Sequence, residues 1–137
     1  MSSPRRIGWA RLPGLVAGAT MALSALPHSL AGWPALAAQL NDAGVTPDLA
    51  TGLSIGWHFG GVAMLVCGAL VVHAFLPRTA PGSPAPLVIG LAYLAFGGWA
   101  MAVSGGDPFF AVFLVPGALA LVSAVLDRRH QPNTTAV

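Results

Sequence analysis

The residues best suited to chemistry in this 137-residue sequence are two histidines, His28 and His58, which lie within long uncharged runs. Each follows a threonine and a serine at helical spacing, so each histidine ends a line of polar side chains along one helix face. Two such lines on neighbouring helices would form a polar pocket. Neutral imidazole nitrogens in a pocket of this kind bind metal ions or hydrogen-bond a ligand. The two lines are Thr20, Ser24 and His28, and Thr51, Ser54 and His58.

Three further residues are expected at this pocket. Trp57 precedes His58 and would supply an aromatic wall, Trp99 lies in a later apolar run, and Asp107 follows that run in a tight turn. Aromatic faces pack against flat ligands, and a carboxylate can supply charge or orient an imidazole. The prediction is therefore a ligand site made of His28, His58, Trp57, Trp99 and Asp107, with His28 and His58 as the possible metal ligands.

Three interpretations of the two histidines stay open. They could simply hydrogen-bond hydroxyl groups or carbonyls of neighbouring helices, a common role for polar residues in membranes. They could bind a small molecule or a metal ion. They could also contact a quinone or ligate a b-type haem between facing helices. No resident cofactor is predicted, because the histidines lack HxxxH or HxxE spacing, and no hydrolase motif is present.

The composition predicts the elements that position these residues. Hydrophobic residues make up 55% of the chain and charged residues 7%, against about 25% charged residues in soluble domains. Four uncharged runs are each long enough for a membrane-spanning helix of about 20 residues. The sequence therefore predicts an all-α integral membrane protein, an antiparallel four-helix bundle with up-down-up-down order. The predicted spans are 12–32, 49–75, 87–104 and 109–127.

The segments between these spans complete one predicted domain over 1–130. Residues 33–48 resemble a short interfacial helix that begins near a proline, and 77–86 contain four prolines and form a loop. The tail 131–137 is expected to be disordered. A basic leader precedes the first apolar run, so 1–31 could instead be a cleaved signal peptide, and this alternative stays open.

Arginine placement predicts the topology. With four spans, all six cations share one side of the membrane with both termini, and the opposite loops hold aspartates but no arginine. The positive-inside rule then predicts a multi-pass protein of the cytoplasmic (inner) membrane with both termini in the cytoplasm. Asp127 is expected to pair with the arginines that follow it. The arginines are Arg5, Arg6, Arg11, Arg78, Arg128 and Arg129, and the aspartates of the opposite loops are Asp42, Asp48 and Asp107.

Glycine spacing predicts a helix-packing face in the second span. Gly52, Gly56 and Gly60 form a GxxxGxxxG array, which lets another backbone approach closely. The face could pack within the bundle or against a second copy of the chain.

The layout resembles uncharacterised bacterial four-span membrane proteins that have a histidine ending helix one and a Trp-His pair in helix two. The resemblance implies residence in the inner membrane and no specific activity. The matching features are Pro27-His28-Ser29 and Gly56-Trp57-His58-Phe59.

These features predict a non-enzymatic accessory or assembly protein that packs through its small-residue helix faces. Its partners would be the lipid bilayer and either a second copy or a larger membrane protein. The alternative is a binder of a small molecule, metal or redox cofactor at the His28/His58 pocket. The pI of about 9.5 reflects a net charge of +2, and the arginines lie at membrane edges, so nucleic-acid binding is not expected.

Overall fold

The computed structural model describes residues 8–77, 79 and 82–129, which are helical apart from short connections and contain no strand. Two short 3-10 turns precede the first and last long helices, and a π-helical turn joins the first two helices. The helices are α1 (Leu12–Pro27), α2 (Trp33–Asp42), α3 (Pro47–Phe75), α4 (Ala85–Val103) and α5 (Ala111–Arg129). The 3-10 turns are Trp9–Arg11 and Pro108–Phe110, and the π turn is His28–Gly32.

Four helical segments of the described chain are long and apolar enough to cross a membrane, as predicted. They contain 34, 29, 19 and 22 residues. At a rise of about 1.5 Å per residue, even the shortest nearly matches the hydrocarbon thickness of about 30 Å. The chain is thus a multi-pass, all-helical membrane protein.

The first segment differs from the prediction of a span that ends at 32 and a separate helix after it. The helix instead continues from Trp9 to Asp42, through the π turn His28–Gly32. A proline ring clashes with the carbonyl four residues before it in a regular α-helix. The wider π turn ends two residues before Pro34 and contains Leu30, whose carbonyl the ring would meet, so it accommodates the ring without ending the helix.

Two glycine pairs bring helix backbones into close contact. A β-carbon placed on Gly18 of α1 would lie 2.8 Å from the carbonyl oxygen of Gly68 in α3. A β-carbon on Gly90 of α4 would lie 2.9 Å from the carbonyl oxygen of Gly117 in α5. Only glycine permits these distances, so the α1/α3 and α4/α5 contacts both depend on it.

The buried core lies toward one end of the long helices. Ile89, Phe96 and Val103 of α4 are spaced seven residues, or about two helical turns, apart and share one helix face. Their exposed fractions rise along the helix from 9% to 46% and then 66%. The helices therefore pack most completely near the start of α4. The core cluster comprises Ala17, Met21, Val71, Phe75, Ile89, Ala120 and Ala124.

An ion pair joins helix ends beside this core. The Arg11 side chain donates to a carboxylate oxygen of Asp127 at 2.8 Å, and the two side chains are 14% and 11% exposed. Arg11 also donates to the Leu76 carbonyl at 3.0 Å, and the Gly82 amide donates to Asp127 at 3.3 Å. Asp127 thus pairs with Arg11, and the expected pairing with its arginine neighbours is not the one observed.

Some predicted features lie outside the described residues. They are Arg5, Arg6, Arg78 and the tail 131–137.

Candidate functional site

His28 and Trp57 form a reciprocal pair between the start of the π turn and α3. The His28 Nε2 atom lies 3.0 Å from the Trp57 carbonyl oxygen, and the Trp57 Nε1 atom donates to the His28 carbonyl at 2.7 Å. The two rings stack with centroids 4.4 Å apart and planes within 3°. Because a carbonyl only accepts hydrogen bonds, Nε2 of His28 must carry the proton. Nδ1 is the nitrogen of His28 that stays available.

Glycines make room for this pair. A β-carbon on Gly32 would lie 2.9 Å from the Trp57 ring, and one on Gly60 would lie 3.3 Å from Nε2 of His28. Gly60 therefore contacts the candidate site directly, whereas the sequence predicts it as part of a packing face. Trp57 reaches the His28 carbonyl because the π turn interrupts the regular i to i+4 hydrogen-bond ladder at this point.

His58 has the opposite tautomer and a free ligand nitrogen. Its Nδ1 atom lies 2.8 Å from the Ser54 carbonyl oxygen one turn earlier, so Nδ1 carries the proton. In the neutral imidazole Nε2 then carries the lone pair, and the structure describes no hydrogen-bond partner for it on this exposed side chain. A backbone carbonyl that fixes the far nitrogen is the usual support for an imidazole ligand. His28 has the same kind of support, but His58 is the more exposed of the two, so its remaining nitrogen is more accessible to a metal or a hydrogen-bond donor.

Trp33 joins this cluster, although the sequence gives no sign of it beyond an aromatic residue near the end of the first span. Its ring lies 5.8 Å from that of His58 and 6.5 Å from that of Trp57. Trp33 is the first residue after the π turn, so the turn determines where its ring lies. We call this cluster the outer aromatic cluster, after the side of the membrane that the sequence predicts for it. It consists of His28, Trp33, Trp57 and His58.

Trp99 and Asp107 have other contacts. The Trp99 ring lies 5.7 Å from Phe96 of the same helix. A carboxylate oxygen of Asp107 accepts from the Phe109 amide at 2.9 Å and caps the 3-10 turn that precedes α5. Within the described part of the chain, no hydrogen bond or ring contact connects either residue to the outer aromatic cluster.

Two hydroxyls of the predicted polar lines hydrogen-bond to their own helices. The Ser24 hydroxyl donates to the Met21 carbonyl at 2.8 Å, and the Thr51 hydroxyl donates to the Pro47 carbonyl at 2.9 Å. Hydroxyls bonded in this way need no partner on another helix. The hydrogen bonds described between the π turn and α3 at this level are those of His28 and Trp57.

A metal site would need ligands from elsewhere. In the described ranges, no group of three or more histidine, cysteine, aspartate or glutamate residues could hold a metal ion. His28 offers Nδ1 and His58 offers Nε2, because the other nitrogen of each is hydrogen-bonded to a carbonyl. Any metal or haem iron at this cluster would complete its coordination with groups that the cluster does not supply.

The glycine array of α3 has two open positions. A β-carbon on Gly52 or on Gly56 would meet no atom within 4 Å, and both residues are exposed. Gly56 and His58 are two residues apart, which is about 200° around a helix, so they lie on opposite faces. The open glycine face and the available nitrogen of His58 are therefore separate features of α3.

Comparison with known proteins adds no family to these observations. No protein-family model matches the sequence, and no curated protein or solved structure matches it either.

Proposed function

We propose that the protein is a small accessory or assembly protein of the bacterial inner membrane, which docks a transmembrane helix on the Gly52/Gly56 face of α3. The docked helix would belong to a larger membrane protein or to a second copy. The observation that carries the proposal is the open space above Gly52 and Gly56, both of them exposed on a membrane-spanning helix.

The other close-packing glycines support this interpretation by contrast. Gly18, Gly68, Gly90 and Gly117 already lie against other helices of the same chain. Gly52 and Gly56 keep the four-residue spacing that forms a shallow groove, yet none of the described helices fills it. In lipid, close approach of two helix backbones allows dispersion contacts that acyl chains cannot match. A groove of this kind therefore favours contact with a transmembrane helix over contact with lipid.

The proposed arrangement is an up-down-up-down antiparallel bundle with both termini in the cytoplasm. This arrangement is supported by Arg11, which precedes α1. Its side chain hydrogen-bonds the Leu76 carbonyl after α3 and the Asp127 carboxylate near the end of α5. The start of one helix thus meets the ends of two others. The positive-inside rule assigns this arginine-bearing end to the cytoplasm. The segment Trp33–Asp42 would then lie at or beyond the outer interface.

Photo-crosslinking in the native membrane tests the docking face. A photoreactive residue replaces Phe59, which is 72% exposed one turn from Gly56. We expect a protein adduct of one defined size, and we expect Gly52→Leu with Gly56→Leu to abolish it because the leucines fill the groove. Gly98→Leu is the matched control, since Gly98 of α4 also has no atom within 4 Å of a β-carbon. Adducts with lipid alone, or an adduct unaffected by the leucines, would refute the docking role.

A second candidate function is ligand binding at the outer aromatic cluster, and the observation that favours it is the free Nε2 of His58. The ligand would be a small molecule, a metal ion or a redox cofactor, with His58 as its principal protein contact and Trp33 and Trp57 as aromatic walls. His28 would contribute through Nδ1.

Purified protein from native membranes tests this second function. A bound haem would give a Soret band, and a bound metal would appear in elemental analysis. Either signal should disappear in His58→Ala and survive in His73→Ala, a matched change near the other end of α3. Loss of the signal in both variants, or in neither, would remove His58 as the ligand.

A further inference from the structure

The arginine-bearing end of the protein carries two exposed cations that have no carboxylate partner in the described chain. Arg128 and Arg129 end α5 and are exposed. Asp127 precedes them, but it is largely buried and bonded to Arg11 and to the Gly82 amide. Its charge is therefore already balanced by Arg11, and Arg128 and Arg129 keep theirs.

The composition of the whole chain leaves few alternatives for pairing. The sequence contains four acidic residues, and besides Asp127 these are Asp42, Asp48 and Asp107. Asp48 lies at the start of α3, whereas Leu76, which bonds Arg11, follows its end. About 40 Å of helix separates Asp48 from Phe75 at the usual rise. Asp42 ends α2 shortly before α3 begins, and Asp107 precedes α5, so all three carboxylates lie far from Arg128 and Arg129.

An exposed tryptophan lies at the same end. Trp9 is 88% exposed and belongs to the 3-10 turn that packs against α5, two residues from Arg11. Indole rings favour the headgroup level of a bilayer, where the ring is partly in hydrocarbon and its N–H group meets polar atoms. Trp9 and the Arg11–Asp127 pair therefore place this end of α5 at the headgroup level.

We propose that Arg128, Arg129 and Trp9 form a binding surface for the headgroup of an anionic phospholipid. Guanidinium groups bind phosphate oxygens through paired N–H donors, and each basic residue near a membrane surface favours anionic lipid. Charge complementarity favours an anionic phospholipid as the bound molecule, because arginines without a carboxylate partner lie at the same depth as the lipid phosphates. The surface does not depend on docking at Gly52 and Gly56, which lie toward the opposite end of the helices.

Tryptophan quenching in vesicles tests the surface with the full chain. The protein is reconstituted in phosphatidylcholine that contains increasing fractions of brominated phosphatidylglycerol or, separately, brominated phosphatidylcholine. Subtracting the spectrum of Trp9→Phe isolates Trp9, since the other three tryptophans lie in α2, α3 and α4. We expect half-maximal quenching of Trp9 at a fraction of phosphatidylglycerol on the order of tenfold lower than that of phosphatidylcholine.

Three double variants and a phosphate control decide the outcome. Arg128→Gln with Arg129→Gln should abolish the preference, and the corresponding lysine pair should retain most of it. Arg5→Gln with Arg6→Gln removes the same charge before the 3-10 turn and should leave the preference largely intact. Millimolar inorganic phosphate, matched in ionic strength with chloride, should have no effect. Equal quenching by both lipids, a preference that survives in the Arg128/Arg129 glutamine variant, or loss of the preference with inorganic phosphate would each overturn the proposal.

Discussion

His28 and Trp57 each bond the other's backbone carbonyl, through the imidazole Nε2 atom at 3.0 Å and the indole Nε1 atom at 2.7 Å. Two side-chain-to-backbone hydrogen bonds between the same residues, with stacked rings, hold the π turn against α3. In hydrocarbon an unpaired carbonyl finds no water, so the indole bond also satisfies the His28 carbonyl at the start of the π turn. The pair therefore determines where the segment beyond the turn begins.

Trp57→Phe should destabilise the protein. The change keeps an aromatic ring but removes the Nε1 donor, which leaves the His28 carbonyl without that partner. We expect the free energy of unfolding in detergent micelles to fall by about 1 kcal/mol, the usual size of an interhelical hydrogen bond in a membrane. Trp99→Phe is the control, because the structure describes no hydrogen bond for Trp99. Equal losses in both variants would refute the role of the indole donor.

The two histidines should differ in their effect on stability. His28→Ala removes an interhelical hydrogen bond and the stacked ring, so we expect it to lower the unfolding free energy by about 1 to 2 kcal/mol. His58→Ala should change it far less, because the His58 side chain is exposed and bonds its own helix. Thermal or denaturant unfolding of the two variants measures the difference. A larger loss in His58→Ala would contradict the assignment.

The Arg11–Asp127 pair should show strong coupling. Removing one partner leaves a largely buried charge unpaired, so Arg11→Gln and Asp127→Asn should each lower the unfolding free energy by about 3 kcal/mol. The double variant should lose much less than the sum. A double-mutant cycle measures this coupling, and Asp107→Asn, an exposed cap, is the single-site control. Additive losses would show that the pair contributes no interaction energy.

Alanine substitution should lower the unfolding free energy at a packed glycine but not at an open one. A β-carbon on Gly68 would collide with the backbone of Ala22, so Gly68→Ala should force α1 and α3 apart and cost about 1 to 3 kcal/mol. Gly56→Ala meets no atom and should not reduce the stability of the isolated protein. Unfolding in detergent compares the two variants. A loss in Gly56→Ala as large as in Gly68→Ala would mean that the face is already filled.

The sequence was sufficient to locate the spans because uncharged length is a direct physical requirement of the bilayer. The second span was predicted at 49–75 and is found at Pro47–Phe75. The first span was predicted to end at 32, whereas the helical segment continues to Asp42 because the chain passes Pro27 and Pro34 through a π turn. The interfacial position of 33–48 stays a prediction. A π turn of this kind is stabilised by a donor to its carbonyl groups. Here the donor to the His28 carbonyl is Trp57, which lies on another helix.

The candidate site was only partly predictable for the same reason. His28, Trp57 and His58 lie close together, but their hydrogen bonds go to backbone carbonyls, which have no sequence signature. Trp33 joins them because of the π turn, whereas Trp99 and Asp107 have contacts within their own segments. Charge counting could have indicated the Arg11–Asp127 pair, since Asp127 is the one acidic residue at the predicted cytoplasmic ends of the spans.

Cysteine accessibility tests the proposed orientation most directly, in a Cys67→Ala background that removes the single native cysteine. Asn41→Cys places a thiol at the exposed end of α2, and Ser83→Cys places one before α4. With a membrane-impermeant maleimide, Asn41→Cys should be labelled in intact spheroplasts and Ser83→Cys only after lysis. Labelling of Ser83→Cys in intact spheroplasts, with Asn41→Cys protected, would contradict the proposed topology.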